Sequence, residues 1–275
     1  MTNFLRSVKQ AVKLTPLWPV LRPRRIHVYG VGAPRTGTNS ISQLFKGYRT
    51  AREAHPRQTF ELIQRKRDDR ISKQEIFREI KSRDRKWRLE CESAHFLIYL
   101  VEELVELFPD AKFLCTVRRP RSWLRSIIDQ DINKPRAEIP SVWKRIHDLA
   151  FGIPPDDHPP AESVLQQYSG VRGVDQYLSY WAWHNERMIE AIPPERRLIL
   201  WTRTLTDSIP RIEQLVGVPS SVVEPDRSHT NAAPKKHDTL QDIDEDYLSE
   251  KIDSKCSRIL KLLESKSRVK NEVGL

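Results

Sequence analysis

No window of this sequence approaches the roughly 18 consecutive apolar residues that a membrane-crossing helix needs. Its start, MTNFLRSVKQAVKLTPLW, carries basic residues without an uninterrupted apolar core, so no secretory leader is expected either. Cysteine is scarce: Cys91, Cys115 and Cys256 are unevenly spaced and form no CxxC pair, which argues against a disulfide framework or a zinc site. No internal repeat is present. A soluble, cytoplasmic protein is the expectation, with peripheral membrane contact open to the basic, mildly amphipathic residues 4–14.

What is present is charge. Lys and Arg number 47 against 37 Asp and Glu, a net charge of +10, which favours anionic ligands without naming one. Acids alternate with bases through residues 49–86, so a solvated helical pair explains that stretch better than nucleic-acid binding. Within it Ser72 and Glu75 resemble a capping box. At 275 residues the chain suits one large α/β domain with an ample core.

The chain is organised around Ile26–Phe45, IHVYGVGAPRTGTNSISQLF. A β-prone run meets a turn holding Gly30, Gly32, Pro34 and Gly37, and an apolar-periodic segment follows. Strand, glycine loop and helix in that order aim backbone N–H groups at one point and make an anion cradle, although an ordinary βα turn uses glycine in the same way. A Walker A loop would need Lys at 38 and Ser or Thr at 39, where the chain has Thr38 and Asn39. A dinucleotide fingerprint would need a third glycine where Arg35 stands. What remains is a phosphate cradle with its cation inside the loop and no usual magnesium ligand.

Further strands are expected at 87–91, 113–117 and 198–201, and helices at 96–108, 121–130, 173–192, 206–215 and 244–263. Strands alternating with helices imply an open, mostly parallel sheet flanked by helices. Residues 1–25 read as an arm. Residues 131–172, broken by prolines but bearing Trp143, Phe151 and Tyr168, read as a lid insertion with one short helix at 143–150. After the strand 113–117 comes RRPRSWLRS, where Arg118 and Ser126 could converge on a second anion.

GAPRTGTNS followed by TVRRPRSWLRS resembles the sulfotransferase family, which uses 3′-phosphoadenosine-5′-phosphosulfate. The resemblance covers 26–48 and 87–130 well and 173–219 moderately. It implies a P-loop-like fold, with Pro34, Arg35, Thr36, Gly37 and Thr38 as the 5′-phosphosulfate loop and Arg118 with Ser126 at the 3′-phosphate. Arg35 would supply the cation and the N–H groups of Thr36, Gly37, Thr38 and Asn39 the donors, with no metal. ECESAHF resembles the E-K-[ST]-P-x-Y-F of glycan sulfotransferases and makes Glu90 the first choice for the general base, with Glu92 and His95 as alternatives. The family's adenine-stacking tyrosine would fall near Thr202, where Trp201 could substitute. Ser228–His237 could close over the cofactor with Lys235 or Lys236, while His55, His184 and His229 have no motif support.

The expected reaction is sulfuryl transfer to the hydroxyl of a small molecule, lipid or glycan, with no nucleic-acid partner. A P-loop kinase with a degenerate loop and a non-catalytic polyanion- or nucleotide-binding relative are the competing readings.

Overall fold

The computed structural model describes residues 23–45, 47–219 and 237–268. Five parallel strands form one sheet in the order β2-β3-β1-β4-β5: β1 (Val28–Gly32), β2 (Thr50–Arg52), β3 (Cys91–Ser93), β4 (Lys112–Val117) and β5 (Arg197–Trp201). The α-helices among the described residues are α1 (Thr38–Leu44), α2 (Pro56–Arg67), α3 (Lys73–Trp87), α4 (Val101–Leu107), α5 (Pro120–Asn133), α6 (Ser141–Phe151), α7 (Val174–Ala191), α8 (Ile209–Val216) and α9 (Glu245–Arg268).

Both faces of the sheet are covered, and strand alternation distributes the side chains between two cores. Val28 and Leu114 pack with Ile41 and Leu44 of α1, with Phe45 just past its end, and with Ile209 and Ile212 of α8. Tyr29, Val31, Phe113, Cys115 and Val117 pack on the other face with Trp123, Tyr177 and Trp181 of α5 and α7. From β1 the chain crosses toward the β2 edge and from β4 toward the β5 edge. The crevice of an open α/β sheet opens between two such strands, beyond their carboxyl ends.

Two elements depart from the sequence reading. The strand expected at 87–91 is displaced, because α3 runs on to Trp87 and stops at left-handed Arg88, and pairing begins only at Cys91. The edge strand β2 carries no apolar pattern and was not anticipated. The Ser72–Glu75 capping box forms and starts α3. The expected residues 1–22 of the arm and 220–236 of the polar loop, with His229, Lys235 and Lys236, lie outside the described residues. Among the described residues no helix is long and apolar enough to cross a membrane.

Candidate active site

The glycine loop follows β1 and lies beside the end of β4. Gly32 is required by packing, since a Cβ there would sit 2.0 Å from Thr116 Oγ1 and 2.6 Å from Thr36 Oγ1. The Thr36 hydroxyl donates to the Ala33 carbonyl at 2.7 Å and lies 2.8 Å from that of Thr116. Trp123 Nε1 donates to the Pro34 carbonyl at 2.6 Å. Thr202 Oγ1 lies 2.6 Å from the Thr36 carbonyl oxygen and 2.9 Å from that of Val117, so one hydroxyl ties β5 to the loop. Gly37 then caps α1 at φ 109°, a conformation open to glycine at little cost.

A cavity of about 720 Å³ opens beyond these strand ends. Arg35, Gly37, Thr38, Asn39 and Arg118 all line it. At the start of α1 the backbone N–H groups of Thr38 and Ser40 have no partner within the helix and suit an anion. Thr36 plays a different part from the expected one: it is buried, and its N–H donates to the Ala33 carbonyl at 3.3 Å.

Arg35 adopts φ 65°, left-handed backbone that a side chain rarely takes, and its Nε donates to Ser126 Oγ at 3.2 Å. Arg118 Nη1 donates to the Arg35 carbonyl at 3.4 Å, so the two sequence motifs meet. Burial first, then the charges of Arg35, Arg125 and Arg203, push the Arg118 pKa down to about 10. Burial also lowers that of Arg35, with Asp129 opposing and Arg52 adding to the shift. Positive charge is thus concentrated here beyond what Asp129 balances, as an anion site requires.

Glu90 is not in this cavity. It precedes β3 at the amino end of the sheet, while the glycine loop and Arg118 follow the carboxyl ends of their strands. Its fully buried carboxylate accepts from the backbone N–H of Arg25 and of Arg49, each at 2.9 Å, and pairs with both guanidinium groups. Burial favours the neutral acid, yet the Arg25 side-chain and backbone bonds and the Arg49 contacts prevail and hold the pKa at about 2. It anchors the segment before β1, away from the cavity. Glu92 is likewise engaged, held by both Nη groups of Arg83.

Of the residues weighed as base, His95 does line the cavity. It is buried, its Nδ1 lies 3.6 Å from Glu53 Oε1, and its Nε2 has no hydrogen-bond partner among the described residues. Burial would raise the Glu53 pKa, but His95 and then Arg52 outweigh it and keep the carboxylate ionised below its usual range. The outer wall comes from the 131–172 stretch, through Asp131, Lys134, Glu138, Ile139, Trp143 and His147. Trp201 does not take part: its indole donates to Ser267 at 3.4 Å and packs under Arg119. His55 stacks on Trp87 at 3.9 Å between ring centroids, and His184 is wholly buried.

A family model described as "Sulfotransferase domain" matches residues 27–204, which span every strand and the cavity's principal residues. This chain belongs to the sulfotransferase family. Among solved structures it is similar to sulfotransferase STF9 from Mycobacterium avium, at 13% identity and TM-score 0.52 over 93% of this chain and 80% of that one. It is also similar to a sulfotransferase from Alicyclobacillus acidocaldarius, at 15% identity and TM-score 0.47 over 87% and 96% of the two chains. Comparison with curated proteins finds no significant match. The sheet and its flanking helices are the P-loop-like fold of sulfotransferases, as the motifs imply.

Proposed function

We propose that this sulfotransferase moves a sulfuryl group from 3′-phosphoadenosine-5′-phosphosulfate to a hydroxyl acceptor. The observation that carries the reading is that Arg35 contacts both Arg118 and Ser126, with Arg35 and Arg118 lining the cavity beside the first turn of α1. These residues fit a nucleotide with phosphates at both ends, and the loop has Thr38 and Asn39 where a magnesium-dependent kinase needs Lys and Ser or Thr. The donor, when bound, supplies the sulfuryl group and a phosphate leaving group.

The chain's own contribution is positioning and charge. Arg35 and the N–H groups of Thr38 and Ser40 stabilise negative charge developing at the 5′ end, in a site that needs little reorganisation. Arg118 and Ser126 hold the 3′ end and set the in-line orientation. His95 takes the acceptor's hydroxyl proton at Nε2, while the Glu53 carboxylate orients Nδ1 and stabilises the imidazolium that forms. In this reading the enzyme works in the cytoplasm, a reducing compartment that suits its three buried free thiols.

An acceptor screen with ³⁵S-labelled donor tests it, each reaction run with and without EDTA. Label transfer insensitive to EDTA is expected. Transfer from γ-labelled ATP restored by Mg²⁺, with none from the sulfated donor, would establish the kinase reading instead.

A further inference from the structure

Among the described residues, three buried polar atoms without a hydrogen-bond partner belong to side chains that line this cavity: His95 Nε2, Asp131 Oδ1 and His147 Nδ1. Buried polar atoms in folded proteins are paired, so such a group on a cavity wall marks bonds left for a ligand. His95 is taken up by the reacting hydroxyl. The other two form a pair of their own, with Asp131 Oδ1 at 4.0 Å from His147 Nδ1.

Both side chains are held in place. Asp131 Oδ2 accepts from the Tyr177 hydroxyl at 2.6 Å and from Arg172 at 3.3 Å, so Oδ1 is the oxygen left over. Arg172, 2% exposed, is fixed in turn by the Gly152 carbonyl at 3.0 Å and by Asp148 at 2.8 Å. His147 lies one turn beyond Trp143 on α6, and both line the cavity. Burial first, then His95 and Arg172, push the His147 pKa down to about 3, so its ring is neutral and offers one N–H and one lone pair. His95 and His147 line the same cavity. The Trp143 ring, 6.4 Å from that of His95, adds a flat apolar surface to the same cavity.

We propose that Asp131 Oδ1 and His147 Nδ1 form a subsite for a second acceptor hydroxyl, so that the acceptor is a polyol ring, a sugar or cyclitol, rather than a monohydric alcohol or phenol. This rests on the sulfuryl-transfer reading. A hydroxyl oxygen lying to one side of the pair can stand at ordinary hydrogen-bond length, roughly 2.7–2.9 Å, from both atoms. It donates to the carboxylate oxygen and accepts from the neutral imidazole N–H, a pairing that only a group with both capacities completes. The ring's C–H face rests on Trp143 while a neighbouring hydroxyl meets His95. A monohydric acceptor leaves Asp131 and His147 unpaired, and a site built around a hydroxyl strongly rejects an analogue lacking it.

The test uses the full chain with the sulfated donor and two probe sets: methyl hexosides and myo-inositol on one side, cyclohexanol and p-nitrophenol on the other. At least one polyol should exceed both monohydric probes in kcat/KM by about 100-fold or more. His147→Phe should raise the polyol KM by about 10-fold or more with a smaller change in kcat, and leave calorimetric binding of 3′-phosphoadenosine-5′-phosphate intact. Saturation-transfer NMR of the polyol on the bisphosphate complex should lose its signal in the same variant. Asp131→Asn should act alike, but because it also touches the Arg172 network, His147→Phe carries the result. Preference for a monohydric probe, failure of every polyol to bind or react, or an unchanged polyol KM, as a trapped water between the two residues would give, overturns the proposal. Turnover of monohydric probes alone leaves sulfuryl transfer standing, whereas failure to bind the bisphosphate nucleotide removes both.

Discussion

Arg35 Nε donates to Ser126 Oγ across 3.2 Å, joining the loop after β1 to the second turn of α5. The two residues are 91 positions apart in the chain, and their contact makes one site of two motifs. Ser126 therefore serves two partners, the guanidinium of Arg35 and, in our reading, the 3′-phosphate. Ser126→Ala should weaken 3′-phosphoadenosine-5′-phosphate by about 10-fold, the scale of one hydrogen bond to a charged group, and leave 5′-AMP unchanged. Equal losses for the two nucleotides in a competition assay would place Ser126 away from the 3′ end.

The left-handed backbone of Arg35 costs roughly 1 kcal/mol that glycine would not bear. Arg35→Gly should therefore melt about 2–4 °C above Arg35→Ala in the absence of nucleotide, while both lose turnover. Equal melting temperatures by calorimetric scan would show that the strain is relaxed in solution.

Glu90 should govern stability and not turnover. Replacing it with Gln leaves backbone donors of Arg25 and Arg49 poorly matched and two guanidinium groups without their anion, a loss of about 2–3 kcal/mol. Its folded pKa of about 2 lies below the ordinary 4.5, so its contribution is complete above pH 4.5 and disappears as pH falls toward 2. Denaturation curves of wild type and Glu90→Gln should converge over that window, with kcat of the folded variant near wild type. A variant of normal stability with lost turnover would return Glu90 to the reaction.

His95→Asn should lower kcat by about 10²–10⁴-fold with nucleotide affinity preserved. Glu53→Gln should lose less, because it removes the partner that orients Nδ1 and leaves the imidazole in place. Full activity of His95→Asn on a competent acceptor would exclude His95 as the base.

Local chemistry made the donor side legible. Gly32, Arg35 and Gly37 form a turn whose purpose can be argued from residue types, and Arg118 and Ser126 follow a strand whose unbroken apolar run identifies it. Which of the three candidate bases faces the cavity was not legible, because that depends on strand register. Ending the strand at Cys91 puts Glu90 beside the crevice, whereas starting it there puts Glu90 at the opposite end and His95 at the opening. Glu53 had no local signal at all, since it follows three strand residues whose pairing is decided by tertiary contact with β3. Trp143 and His147 could be assigned to a short helix, but the face that α6 turns inward depends on its packing against α2 and α7.

The central claim is that the cavity recognises a nucleotide phosphorylated at both ends, and isothermal calorimetry of wild type and Arg118→Ala with 3′-phosphoadenosine-5′-phosphate and 5′-AMP tests it most directly. Wild type should bind the bisphosphate more tightly than the monophosphate, and Arg118→Ala should weaken the bisphosphate by about 10- to 100-fold with little change for 5′-AMP. Equal wild-type affinities for the two nucleotides, or equal losses for both in the variant, would contradict it.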